Sequence, residues 1–292
     1  MVAGALSRRT FLASMAASIA APAALCGPIQ TLDDYLVGGT HYDIEAALLA
    51  GPVRLLDREY PVRPFTVRPR DVITGIPARS WLMVDGGGPA ISPADPTKPT
   101  DLVTLKDFWM RSVSGNGPGI YMPSCWHWTI DNVTVQNFAG PGVWIYGQRT
   151  IDGQLDPGDS TKHYLKHVRV VRCSTGFLLS GTLGEPRISG GTANMNYLEH
   201  CLAASCAGIG FWIQQGAANQ LNGCITNLCG SHGFCLSWYG NTLVSPTSET
   251  NDGWGIFFTG HQETRQNTVL GYHDGGSNGM GQHNGGGLNR VL

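Results

Sequence analysis

The chain has 292 residues, a formal net charge of −2 and only 14 % charged residues, with 40 glycines and 8 cysteines. So even a charge balance, with nothing basic clustered beyond the N-terminus, gives no field to draw nucleic acid or acidic lipid and argues against either partner. Much glycine with little charge suits a turn-rich, all-β chain with a large core, long enough for one elongated domain.

The first segment, residues 1–26, reads as an export signal. Ser7-Arg8-Arg9-Thr10-Phe11-Leu12 resembles a twin-arginine motif, and an apolar run follows from Phe11 to Leu25. Small residues around Ala20 to Ala24 offer a cleavage site. The run is too short to anchor in a bilayer, so the mature protein is expected to be periplasmic or secreted, without stable membrane insertion.

Residues 27–100 read as an N-terminal cap and the first coils. Asp43 to Ala50 predicts a short amphipathic helix with Ile44, Ala47 and Leu48 on one face. Strands are expected at Val53–Leu56, Phe65–Val67, Val72–Thr74 and Trp81–Val84. This succession, with Asp43-Ile-Glu-Ala-Ala-Leu48, then Glu59-Tyr-Pro-Val62, then Val72-Ile-Thr-Gly75, resembles the entry to the pectin-lyase-like right-handed parallel β-helices. The closest group is the pectate lyase superfamily, which includes phage tailspike-like domains. That resemblance implies a right-handed parallel β-helix with a short N-terminal capping helix. It also implies carbohydrate-active function, most often cleavage of an acidic or bacterial polysaccharide. The family's catalytic signatures are mostly missing: Trp128-Thr-Ile-Asp131-Asn132 only partly echoes W-x-D-H, and Asp131 reads as a turn residue.

Residues 101–274 carry the repeat. Gly119, Gly142, Gly176, Gly210, Gly233 and Gly255 each open a short strand, at steps of 23, 34, 34, 23 and 22 residues. A period of this size, with two short strands and two tight turns per unit, is one coil of a parallel β-solenoid. Leucine-rich repeats have a similar length, but their spacing is absent. The inward pairs are Ile120/Met122, Val143/Ile145, Phe177/Leu179, Phe211/Ile213, Phe234/Leu236 and Ile256/Phe258, all apolar as a buried face requires. Asn196, Asn219, Asn241 and Asn267 mark equivalent turns, where stacked amides can hydrogen-bond to one another. Cys201 and Cys224, like Cys206 and Cys229, are 23 residues apart. Stacking at that interval allows either disulfides or a column of apolar thiols, and the column is favoured.

The residues between the inward pairs face out: Tyr121, Trp144, Leu178, Trp212, Cys235 and Phe257. Beyond them come Pro123, Tyr146, Ser180, Gln214, Ser237 and Thr259. An aromatic row over about 24 Å of stack is expected either to bind sugar or to be covered by a loop or a second subunit, which leaves an oligomer open. Tyr121, Trp144, Tyr146, Trp212, Gln214, Phe257 and, on the last coil, His261 are the candidate substrate-binding residues.

Two insertions of 11 residues, within Gln148–His163 and Thr182–Gly191, follow stripe strands on adjacent coils and should form a wall beside the row. They hold the candidate catalytic groups. Asp156 or Asp159 with Glu185 would serve as acid and base, Lys162 and Arg187 as anion binders, and His163 as an alternative base. Hydrolysis, β-elimination and binding without turnover all remain open. No metal or cofactor is required, although the turn at Glu249, Asn251 and Asp252 could take calcium. Residues 275–292 read as a Gly-rich, poorly ordered C-terminal tail.

Overall fold

The computed structural model describes residues 28–115, 117–148, 158–182, 191–259, 266–281 and 289–292. Within them the chain winds into a parallel β-solenoid with three faces. Faces I and II are 11-stranded sheets and face III is 8-stranded, and each coil contributes one strand to each in turn. Apart from an antiparallel pair at the entry, every strand pairs with its equivalent on the next coil in parallel, without offset. The helix of the cap spans Ile44–Ala50, where Asp43 accepts from the Ala46 N–H at 2.9 Å. Ile44, Ala47 and Leu48 are buried. Glu45 fastens the cap to the first strand of face III, accepting from the Thr66 N–H at 2.7 Å and its hydroxyl at 2.8 Å. The expected cap strands form, the first ending earlier, at Arg54.

All twelve inward residues of the glycine-led strands are buried. Phe177, Phe211 and Phe234 stack ring on ring, with centroids 4.5 and 5.1 Å apart. The leading glycines have a steric cause. A side chain at Gly119 would run into Val135, at Gly142 into Val170, at Gly176 into Ala203 and at Gly210 into Thr226. Each of those partners is the inward residue of a face II strand, so face III rests directly on face II at this column.

Left-handed residues turn the corners. Asp107, Asn132, His167 and His200 bend face I into face II, and Asn137, Arg172, Ser205 and Leu228 close face II. His127, Lys162, Met195 and Ala218 open face I. Immediately inside this last corner runs the asparagine ladder. Asn196 Nδ2 donates to Asn219 Oδ1 at 3.0 Å, Asn219 to Asn241 at 3.0 Å, and Asn241 to Asn267 at 3.2 Å. Each Oδ1 also accepts the backbone N–H of the preceding rung, so buried polar groups satisfy one another along the axis.

The seven described cysteines are unbonded and buried, with Cys201, Cys224, Cys206 and Cys229 among them. Their thiols lie against backbone carbonyls, as Cys201 Sγ does with Leu165 O at 3.5 Å. Asn251 does not face a turn cation. It is buried, and Nδ2 donates to Ser248 Oγ at 2.8 Å and Asn278 Oδ1 at 2.9 Å, which leaves Glu249 and Asp252 without the third calcium ligand expected of it. The segment read as a tail continues the stack in its described parts. Asn278 adds a rung beneath Asn251, Asn289 accepts from Asn267 at 3.1 Å, and Arg290–Val291 pairs with face I.

Gly142→Ala should destabilise the protein by about 1–3 kcal/mol, because the added methyl must displace Val170 or separate two sheets. Gly87→Ala, where a methyl meets nothing within 4 Å, should leave the thermal midpoint unchanged. Equal midpoints for the two variants would remove the close approach as the reason for the glycines.

Candidate functional site

Face III carries the aromatic row in the register its spacing implies. Tyr121, Trp144, Leu178, Trp212, Cys235 and Phe257 pair consecutively from coil to coil. Five of them are half-buried and outward, while Cys235 is buried between its neighbours. Tyr121 and Trp144 lie 4.9 Å apart by ring centroid, Trp144 and Tyr146 5.3 Å, and Tyr121 and Tyr146 6.1 Å, so three rings form one cluster. Burial raises the Tyr121 hydroxyl to about 12, with Tyr146 adding to the effect, so the phenol stays a neutral donor.

Both tryptophans are held by the same diagonal bond. Trp144 Nε1 donates to Ser180 Oγ at 2.7 Å, and Trp212 Nε1 donates to Ser237 Oγ at 3.2 Å. In each case the serine stands two residues beyond the tryptophan's partner on the next coil. The N–H of each is thereby satisfied within the sheet, which leaves the carbon atoms of the half-buried indole to meet solvent. Ser180, which accepts one of these bonds, is buried, as is Pro123, and neither is solvent-facing as its outward register suggested. Gln214 lies just past its strand, half-exposed, with its N–H on Leu179 O at 2.8 Å. None of the twelve outward positions of these six strands carries an acid, a histidine or a fixed charge.

The insertions leave from the stripe strands themselves, at Gln148 and Thr182, and return at Gly158 and Gly191. Their roots touch, with Gly191 packed on Gly147 and the Gly158 carbonyl, and Ser160–Thr161 pairs with Ala193–Asn194. Asp156, Glu185 and Arg187 lie outside the described residues, as does His261.

The remaining candidates have other occupations. Asp159 joins the two roots, accepting from the Thr192 N–H and hydroxyl, both at 2.8 Å, and from Asn194 Nδ2 at 3.3 Å. A carboxylate held by three donors is a brace, not a mobile acid. Lys162 is exposed, but at the corner that opens face I, a short strand away from the row. His163 is 1 % exposed and cannot act on a polymer outside. It fills the asparagine ladder's next rung: its N–H donates to Asn196 Oδ1 at 3.1 Å, and Nδ1 accepts the Trp128 N–H at 3.1 Å. Since that backbone group can only donate, the ring's proton sits on Nε2 and goes to Ser160 Oγ, 3.0 Å away. Ser160 in turn donates to Met122 O at 2.8 Å. Burial, with His127 nearby, drives this imidazole down to about 3.

Two features had no signal in the glycine-led register. Trp238 and Tyr239, stacked at 5.8 Å, stand at the corner where face III ends, the same corner from which the insertions leave on earlier coils. His232 stacks on Phe257 at 4.4 Å from the opposite edge, its Nδ1 accepting the Trp254 N–H at 3.0 Å. Among the described residues no group of three or more His, Cys, Asp or Glu could hold a metal ion, and no helix is long and apolar enough to cross a membrane.

A family model described as a right-handed beta helix region matches residues 118–290. A search of curated proteins found no match. Among solved structures, the alginate lyase from Paenibacillus sp. str. FPU-7 is similar at 10 % identity and a TM-score of 0.52, over 80 % of this chain and 91 % of that one. The Geobacillus virus E2 protein ORF18 is similar at 12 % identity and a TM-score of 0.41, and the alignment covers 80 % of this chain but 62 % of that one. The Streptococcus pneumoniae surface protein and adhesin PfbA matches at 10 % identity and 0.41, over 91 % and 100 %. At these identities the likeness concerns fold.

The His163 ring is neutral when folded, with its pKa pushed down to about 3 against about 6.5 in an unfolded chain. The unfolded state therefore takes up the proton first, so this stability is complete above about pH 6.5 and is lost as pH falls towards 3. His163→Asn, which supplies the ladder's usual amide, should flatten the stability-against-pH curve in that window relative to the parent. Parallel curves for the two proteins in denaturant titrations would contradict the assignment.

Proposed function

The chain belongs to the right-handed β-helix family, and on that premise we propose that it is an exported carbohydrate-active protein that holds a polysaccharide along face III. The observation that carries this reading is the pair of half-buried outward indoles, each satisfied at its N–H by a serine so that only ring carbon is left for a ligand. Sugars present C–H faces to such rings and hydroxyls to their flanks, where Tyr121, Tyr146 and Gln214 can donate or accept. The columns run along the solenoid axis, so a linear polymer would meet Tyr121, Trp144, Trp212 and Phe257 in succession. A floor without charge suits binding and supplies no pair of carboxyl groups of its own.

Cleavage is the second reading, favoured by the insertions, which depart directly from the stripe strands and have roots in contact. Asp156, Glu185 and Arg187 would then bring to the edge of the platform the charge that the floor lacks. An alginate lyase is built on the same fold, and in the present chain elimination would need a base and a cation near the sugar's carboxylate.

Trp144→Ala and Trp212→Ala should each weaken binding by about ten-fold, as loss of a buried aromatic anchor does. Affinity electrophoresis against a panel of acidic and neutral polysaccharides measures this, and unaltered migration of both variants would show that the row is not the platform. On the same panel, release of reducing ends or of unsaturated uronate would mark turnover. Glu185→Gln should then abolish turnover and leave binding intact, whereas full turnover in that variant would dismiss Glu185 as the acid or base.

A further inference from the structure

Face II carries a second aromatic surface, on the opposite side of the glycine column and towards the N-terminal cap. Trp81 and Trp109 occupy the same outward position on successive coils and meet edge to face, with centroids 4.5 Å apart. Met83 and Arg111 fill the adjacent column. The Arg111 guanidinium lies over the Trp81 ring at 5.8 Å from its centroid. Two coils further on, in the tryptophan column, stands the exposed Arg169, with Thr134 between them in register. Arg172 follows at the corner, also exposed. No carboxylate lies within ion-pair distance of Arg111 or Arg169 among the described residues. The one acid in this part of the face is Glu59, in register with Trp81 on the cap side.

We propose that this patch is a separate binding surface for a carboxylate-bearing polysaccharide, independent of the uncharged platform on face III. The two indoles supply the apolar contact for sugar rings, and Arg111, preorganised by its stacking on Trp81, supplies a planar fork for a carboxylate. Arg169 lies about 10 Å farther along the axis, two inter-strand steps away, so a linear polyanion running with the stack can engage both guanidinium groups. Face I contrasts with this arrangement. There the outward charges are spent on each other: Lys106 approaches Asp131 at 3.6 Å, and Lys166 approaches Glu199 at 3.8 Å. The arginines of face II have no such partners, and charge complementarity to an acidic glycan follows.

The test compares polygalacturonate, alginate and hyaluronan with fully methyl-esterified polygalacturonate, which keeps the galacturonate backbone and removes its charge, by calorimetry on the full chain. The parent should bind at least one of the acids, more weakly as salt rises. Arg111→Gln should lose about ten-fold in affinity for that acid and nothing for the ester. Trp81→Ala with Trp109→Ala should weaken the same acid, while the face III variants Trp144→Ala and Trp212→Ala should leave the preference for acid over ester in place. Because Arg111 faces outward, an unchanged melting temperature will show that Arg111→Gln is folded. Three outcomes would overturn the proposal: no acidic polymer is bound, acid and ester bind equally, or Arg111→Gln binds as the parent does. None of these touches the face III reading, which stands or falls on its own two tryptophans.

Discussion

The close approach of face III to the middle of face II is the contact on which the rest of the molecule depends. Three sheets enclosing a solenoid could leave a wide interior, but here the strands of face III begin against the inward side chains of face II. Only glycine fits at that crossing, which recurs at Gly119, Gly142, Gly176, Gly210 and Gly233. The consequence is a thin core in which each coil has room for one Phe, Ile or Leu per inward position, stacked on its equivalents. Face III is thereby kept in strict register, and a registered sheet places its outward rings in one column.

Stacking without offset also governs the polar groups. A buried amide on one coil is met by the same amide on the next, so one asparagine per coil converts an isolated desolvation cost into a chain of satisfied bonds. The coil of the first insertion has His163 on that rung. The imidazole accepts the neighbouring backbone N–H as an amide oxygen would, and its second nitrogen reaches Ser160 at the foot of the insertion. An imidazole thus ties the ladder to the loop root, and Asp159 ties the two roots together. Two residues that looked catalytic by type, Asp159 and His163, thus brace the roots of the insertions.

This explains what could be read from the residues alone. The glycine-led strands, the inward pairs and the aromatic row were legible because each repeats with the coil, and period-2 alternation assigns a face to every residue once the coil is known. The asparagine ladder was legible for the same reason, from Asn196 onward. His163 was not, since it differs in type from the other rungs and stands 33 residues before Asn196, on a coil lengthened by the insertion. Asn251 was misplaced because a polar residue between Glu249 and Asp252 looks like part of an acidic turn, whereas the left-handed Thr250 turns it inward. Trp81 and Trp109 stand before the first of the six glycines in the chain, so the register that exposed face III gave no view of this part of face II.

The same stacking constrains where chemistry can be placed. An ionised side chain repeated on one outward column would meet its own sign every 4.8 Å or so, which no sheet tolerates cheaply. Face I solves this by alternation, with Lys106, Asp131, Lys166 and Glu199 paired in sequence up the stack. Those charges neutralise one another and are lost to any ligand. Face III takes the other course: its six outward pairs carry no fixed charge, and the titratable groups among them are the phenols of Tyr121 and Tyr146 and the buried Cys235 thiol. A carboxylate, lysine or arginine beside those six pairs must therefore come from residues that break the repeat. In this protein the repeat is broken beside that face at two neighbouring coils, and on the proposed reading it is there that turnover and mere binding would differ.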